Sequence, residues 1–267
     1  MKLASKVSIC QAACTMPNPI LEVCCGSVDF AVAASLAGAD RIELCDNLVE
    51  GGTTPSIGAL EIASSKTDIP VMAMVRPRGG DFLYSELEFE VMLRDAEALA
   101  EAGAAGLVFG ILDSDGRIDY RRTSRLIEAA RPLSVTFHRA FDLSRDLEES
   151  LEVLLEVGAD RVLTSVGKES VLDGLDLLSA LMERAGDSIV VMPAGGIRPH
   201  NIGQVLAVPG VTEVHIGAAQ TRASGMNYRR EGVPMGSAYE PDEYVVQVAA
   251  VDRIAFTKSI MADSSDV

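Results

Sequence analysis

Two short stretches, Leu21-Glu22-Val23-Cys24 and Ile42-Glu43-Leu44-Cys45, share an acid-x-Cys pattern. If both are β-strands, the two-residue period puts each glutamate and its cysteine on one face. Helices cover the outer face of such strands with apolar contacts, so Glu22 and Glu43 are expected to point inward with Cys24 and Cys45 one layer above. Neighbouring strands lie about 4.8 Å apart, so cysteines at matching positions can share one soft metal ion. Thiolates select Cu(I), zinc or iron–sulfur clusters, and with two or three sulfurs and no Cys-x-x-Cys the tetrahedral options are short of ligands. Cu(I) accepts so few. The competing expectation is that both are plain core residues, because free cysteine is among the most buried side chains. A disulfide between them is a third arrangement, open to an oxidised chain. Cys25 alternates to the other face and is expected to pack under a helix.

Other polar residues stand at the ends of apolar runs. Arg76 leads into Arg76-Pro77-Arg78-Gly79-Gly80-Asp81, where Arg76 or Arg78 could hold an anion. Thr136-Phe137-His138-Arg139 places one of only three histidines inside a strand, and His215 is a second. Each is either a hydrogen-bonded core imidazole or a functional group. Pro193-Ala194-Gly195-Gly196 and Gly217-Ala218 put small residues where many barrels cradle a phosphate with backbone amides. Asp113-Ser114-Asp115-Gly116 resembles the start of a calcium loop, but Ser124 falls where the twelfth-position glutamate belongs, so it reads as a turn.

These residues must be positioned by regular elements, and runs rich in Val, Ile and Leu recur at 20–25, 41–46, 71–76, 106–112, 134–142, 161–165, 189–196 and 213–219. Helical patterns fit between them at 29–37, 86–102, 120–130, 147–157, 174–184 and 201–208, with a last one at 242–261 after Pro241. Gly38, Gly103 and Gly158 each follow an Ala/Leu/Glu-rich stretch and precede a strand, as a left-handed helix cap requires. Eight β-then-α units without a linker predict an α/β protein with a single (β/α)8 TIM barrel over 20–267. The alternative is an open doubly wound sheet, but no Gly-x-Gly-x-x-Gly follows the first strand.

The chain has 267 residues, 48% hydrophobic and 23% charged, with a formal net charge of −16. That composition supports a large core and argues against nucleic acid as a partner. No apolar run has the roughly 18–20 residues that span a bilayer. Residues 1–19 carry Lys2 and Lys6 but no signal-peptide pattern, and are expected to form a short flexible extension. Five cysteines, Cys10, Cys14, Cys24, Cys25 and Cys45, show no disulfide spacing, which favours a reducing compartment and hence the cytoplasm.

The chain resembles the CutC copper homeostasis family. The blocks that carry the resemblance are 21–24, Gly38-Ala39-Asp40-Arg41-Ile42-Glu43-Leu44-Cys45, Glu50-Gly51-Gly52-Thr53-Thr54-Pro55-Ser56, 76–82, 135–142 and Arg161-Val162-Leu163-Thr164-Ser165. The resemblance implies a cytoplasmic barrel protein engaged in intracellular Cu(I) handling, with the copper ion held by Cys24 and Cys45, and a homo-oligomer, dimer or tetramer. Two positions depart from the family pattern: Gly217 stands where a serine is common, and Val166 where glycine commonly follows Thr164-Ser165.

A copper site leaves the rest of the mouth without a task. The second expectation is an enzyme, a lyase, isomerase or hydrolase, on a small anionic or phosphorylated ligand. There Arg76 or Arg78 binds the anion, Gly195, Gly196 and Gly217 hold a phosphate, and His138 or Glu43 moves a proton.

Overall fold

In the computed structural model, which describes residues 18–230, 232–233 and 242–263, the apolar runs become eight short parallel strands. The first half holds β1 (Ile20–Cys25), α1 (Val28–Leu36), β2 (Arg41–Leu44), α2 (Ile57–Lys66), β3 (Val71–Met74), α3 (Glu86–Glu101) and β4 (Gly106–Phe109). The second half holds α4 (Tyr120–Ala130), β5 (Ser134–Phe137), α5 (Leu147–Val157), β6 (Arg161–Thr164), α6 (Leu175–Ala185), β7 (Val190–Pro193), α7 (Ile202–Leu206) and β8 (Glu213–Gly217). The sheet runs β7-β6-β5-β4-β3-β2-β1-β8, so each strand pairs with its sequence neighbour and β8 returns to β1. β7 and β8 are spatial neighbours without a ladder between them, which makes this a nearly closed TIM barrel.

Helix starts follow the expected chemistry. Ser27, Ser56, Ser85, Asp119 and Asp146 each accept a first-turn backbone N–H, and Ser85 with Glu88 completes a capping box. The three cap glycines adopt φ of 96°, 93° and 75° at Gly38, Gly103 and Gly158, a left-handed conformation that glycine takes at least cost.

Strand alternation divides the core in two. Leu21, Val23 and Cys25 face outward into the main apolar layer beneath the helices, together with Phe30, Ile42 and Leu44. The inward residues are different in kind: Cys45, Met72, Met74 and Val108 form one small cluster, and Leu163, Met192 and Ala194 another. Buried Glu22, Arg41, Glu43, Arg161, Glu213 and His215 fill the rest of the interior.

Several boundaries differ from expectation. β5 stops at Phe137, and Arg139–Leu143 turns into a 3-10 helix that swings Asp142 back toward β6. The helix expected over 242–261 is an antiparallel strand followed by a shorter helix. β9 (Ala219–Ala223) pairs with β10 (Val245–Ala249), and α8 (Val251–Asp263) comes after. Val245, Val246 and Val248 are β-branched residues that favour the strand. Helix α2, capped by Ser56, was not among the expected elements. The extension expected over 1–19 lies outside the described residues up to position 17, as do Cys10, Cys14 and Pro241.

Candidate metal and ligand site

β1 and β2 pair with Cys24 beside Glu43, and β1 and β8 pair with Glu22 beside His215. This register brings the two acid-x-Cys stretches and one histidine to a single place at the C-terminal mouth of the barrel. The sulfurs of Cys24 and Cys45 are 4.0 Å apart, and both remain free thiols. Cys45 Sγ also lies 3.6 Å from Glu43 Oε2, while Glu43 Oε1 is buried without a partner. His215 bridges the acids: Nδ1 lies 2.8 Å from Glu22 Oε1, and Nε2 lies 3.9 Å from Glu43 Oε2. Two metal-capable groups result, Cys24-Glu43-Cys45 and Glu22-Glu43-His215, sharing Glu43.

Beneath them runs a belt of buried charge. Arg41 pairs with both Glu22 and Glu213, and Arg161 Nε reaches Glu213 Oε2 at 2.5 Å while donating to Thr136 at 3.2 Å. Residues 41 and 161 were read from sequence only as strand starts. Their inward parity with Glu43 and Leu163 was the signal available.

The belt sets the protonation of the mouth. Burial opposes charge on Glu22, but the hydrogen bond to His215 and the Arg41 guanidinium outweigh it and hold this acid at about 2. His215 is also opposed by burial, yet Glu43, Cys24 and Glu22 raise it well above an ordinary imidazole. Cys24 is lowered to about 5, chiefly by the hydrogen bond from Cys45, against burial and with help from His215. Cys45 is raised by that same hydrogen bond and by burial. Burial and the charge at Cys24 raise Glu43. These directions favour a thiolate at Cys24 beside an imidazolium at His215, keep the Cys45 proton in place and push Glu43 toward its neutral acid.

A cavity of about 350 Å³ opens above this group, lined by Cys24, Glu43, Arg76, Phe82, His138 and His215 among others. A second, of about 340 Å³, shares Cys24, Gly51, Arg139 and His215 with it and extends to Gly195, Gly196, Arg198 and Gly217. Of the expected site residues, Cys24, Glu43, Arg76 and His138 thus meet in one cavity, and Cys45 packs directly beneath it. Gly195, Gly196 and Gly217 lie in the adjoining one.

Several expected roles change on this geometry. Arg78 lines neither cavity: it binds Glu88 at 2.5 Å, Asp81 at 3.1 Å and the Leu83 carbonyl at 2.8 Å, which holds its own loop. Gly195 and Gly196 have φ of 82° and 72°, and a Cβ there would meet Ser165 Cβ at 2.9 Å and Ser170 Oγ at 2.2 Å. The chain's own packing therefore demands these glycines, whereas Gly217 faces open space. His138 is lowered to about 3 by burial and the nearby Arg76 charge, which keeps its imidazole uncharged and makes it a weak base. Its Nδ1 accepts from Ala140 N at 3.1 Å, which assigns the proton to Nε2.

Asp142 is a site residue that the reading by type did not single out. Its carboxylate accepts from Thr164 Oγ1 at 2.5 Å, Ser165 N at 2.9 Å and Gly167 N at 3.0 Å, and pairs with Arg139 at 2.7 Å. It clamps the turn after β6, where Val166 adopts φ of 54°, a conformation a β-branched residue takes only under strain. Glycine would fit that backbone without strain.

Comparison with known proteins bears on the family and the fold. The pattern of the CutC family matches residues 19–220. The copper homeostasis protein cutC homolog of Homo sapiens is 48% identical over 241 residues, covering 90% of this chain and 88% of the human protein. A CutC family protein of Chromobacterium violaceum is 47% identical over 237 residues, 89% of this chain and 96% of that one. Among solved structures, a CutC from Streptococcus agalactiae superimposes with a TM-score of 0.71 at 33% identity, over 74% of this chain and 98% of that one. N-(5'-phosphoribosyl)anthranilate isomerase from Pyrococcus furiosus shares the fold alone, with a TM-score of 0.54 at 15% identity, over 92% of this chain and 99% of that one. By the extent of the family match and the identity of these relatives, the chain belongs to the CutC family.

Proposed function

We propose that this protein binds Cu(I) between Cys24 and Cys45 and takes part in intracellular copper handling. The observation that carries the reading is the pair of sulfurs 4.0 Å apart at the barrel mouth, one of them held as a thiolate. With metal–sulfur bonds of about 2.3 Å, one ion spans that gap at an angle of roughly 120°. A soft monovalent ion suits two sulfurs, and binding releases the Cys45 proton. The copper homeostasis names of the human and mouse relatives support it. A reducing cytoplasm goes with this reading, since the thiols bind only while they are reduced.

The test is an anaerobic titration of reduced protein with Cu(I) against a competing chelator, with Zn(II) in parallel. The outcome expected is one tight Cu(I) site that either Cys24→Ser or Cys45→Ser abolishes. Affinity that survives both substitutions, or a site that prefers Zn(II), would sink the assignment.

A second reading, an enzyme acting on a small anionic or phosphorylated substrate at the same face, is favoured by one specific observation. Arg76 is only 5% exposed, yet among the described residues no carboxylate pairs with it. A buried charge without a partner is costly, and a bound anion would supply the missing one.

A further inference from the structure

Three arginines are buried among the described residues: Arg41, Arg76 and Arg161. Two of them are neutralised by Glu22 and Glu213. Arg76 differs. Its Nη1 donates to the carbonyls of Glu50 and Gly52, both at 2.7 Å, and its Nη2 to that of Gly80 at 2.9 Å. These bonds hold two loops together but leave the positive charge without a carboxylate, and the buried Tyr84 hydroxyl, beside the guanidinium, adds no negative charge. The cavity wall also carries a buried donor without a partner, His138 Nε2, on a residue 4% exposed. The ring of Phe82 lies against both, 5.1 Å from the Arg76 guanidinium carbon and 4.9 Å from the His138 ring.

We infer that Arg76 and His138 form a subsite for the carboxylate of a small organic monoanion, on the wall of the 350 Å³ cavity away from the charge belt. The inference rests on the second reading above and names its substrate class. One fixed positive charge and one neutral donor match a single negative charge shared over two oxygens. Met74, Phe82, Leu143 and Leu163 supply the apolar part of the wall, which fits a short apolar body. The volume lies near the lower end of small-molecule sites, so the ligand is small. Phe82, which lies against both groups, is only half-buried.

The probe is butyrate, with butyramide as its neutral counterpart and inorganic phosphate and methyl phosphate as the competing anions. Each is titrated into the full, reduced, metal-free chain carrying 15N-labelled histidine. With three histidines in the sequence, the His138 Nε2–H signal is identified by its loss in His138→Asn, which keeps an acceptor for Ala140 N. Butyrate is expected to shift that signal in a saturable way and butyramide to leave it unmoved. His138→Asn and Arg76→Lys are each expected to weaken butyrate roughly tenfold or more. Should Arg76→Lys fail to fold, the His138 signal and His138→Asn still decide. Butyrate that binds without moving the His138 signal overturns the subsite. A response to phosphate or methyl phosphate alone overturns the carboxylate assignment and leaves the second reading standing. Silence toward every anion overturns both.

Discussion

Cys24 and Cys45 occupy the same place in their repeats, yet the structure gives them opposite acidities. The S–H of Cys45 points its proton toward Cys24 and so favours a thiolate there, while His215, fixed by Glu22, supplies the nearby positive charge. The pair behaves as a proton moved from sulfur to imidazole, and this has a signature in stability. Cys24 at about 5 lies below the 9.0 of an ordinary thiol, so between those values the unfolded chain holds a proton that the folded chain lacks. Stability contributed by Cys24 therefore rises with pH across that range. His215 is raised above 6.5, so above that pH the folded chain holds the extra proton and stability falls as pH rises. The two slopes oppose each other, while Glu43, raised by burial, adds only to the fall, so the melting temperature of the native protein should decline less between pH 6.5 and about 8 than it would without the Cys24 slope. In Cys24→Ser the opposing rise is gone, and melting should decline more steeply over the same interval. Equal declines in both proteins would show that Cys24 and His215 do not form an ion pair.

Strand periodicity made part of the site legible. Glu22, Cys24, Glu43 and Cys45 share inward parity, and that parity followed from the acid-x-Cys spacing. The same rule reaches Arg41 and Arg161 two residues earlier on their strands, but a charged residue at a strand's first position resembles a solvated end. Only the return of β8 beside β1 shows that Glu213 neutralises both. The β9–β10 hairpin was hidden by Pro241-Asp242-Glu243, which looks like a helix start, although the valines after it favour a strand. His138 owes its position to a neighbouring element as well. A Cβ on Gly110, after β4, would lie 2.6 Å from His138 Nδ1 and 2.9 Å from Ala140 Cβ. Gly110→Ala is thus expected to destabilise the fold by about 1–3 kcal/mol through overpacking. In a His138→Ala background the same change should cost at least about 0.5 kcal/mol less, because the ring it strikes is gone. Denaturant unfolding of the four proteins measures the difference; full additivity would mean that Gly110 does not hold the His138 ring in place.

At the scale of the whole barrel, the buried charges act where the backbone does not. No ladder joins β7 to β8, yet Arg161 on β6 reaches past β7 to Glu213 on β8, and Arg41 on β2 binds that glutamate from the other side. Arg41 also donates to Met192 Sδ on β7 at 3.3 Å, so one guanidinium touches both margins of the gap. Such a network is a poor source of net stability compared with a packed apolar interior, but breaking it from within leaves unpaired charge. Glu213→Gln keeps the shape and removes the charge that two arginines share, while burial alone already works against charging Glu213 and only those arginines lower it. The expected loss is about 3–5 kcal/mol. Glu97→Gln provides the contrast: its pair with Arg94 is exposed and should change stability by no more than about 0.5 kcal/mol. If denaturant unfolding gave Glu213→Gln the same small effect as Glu97→Gln, the belt would not be what closes the barrel, and the β7–β8 margin would have to be held by the apolar layer beneath the helices alone.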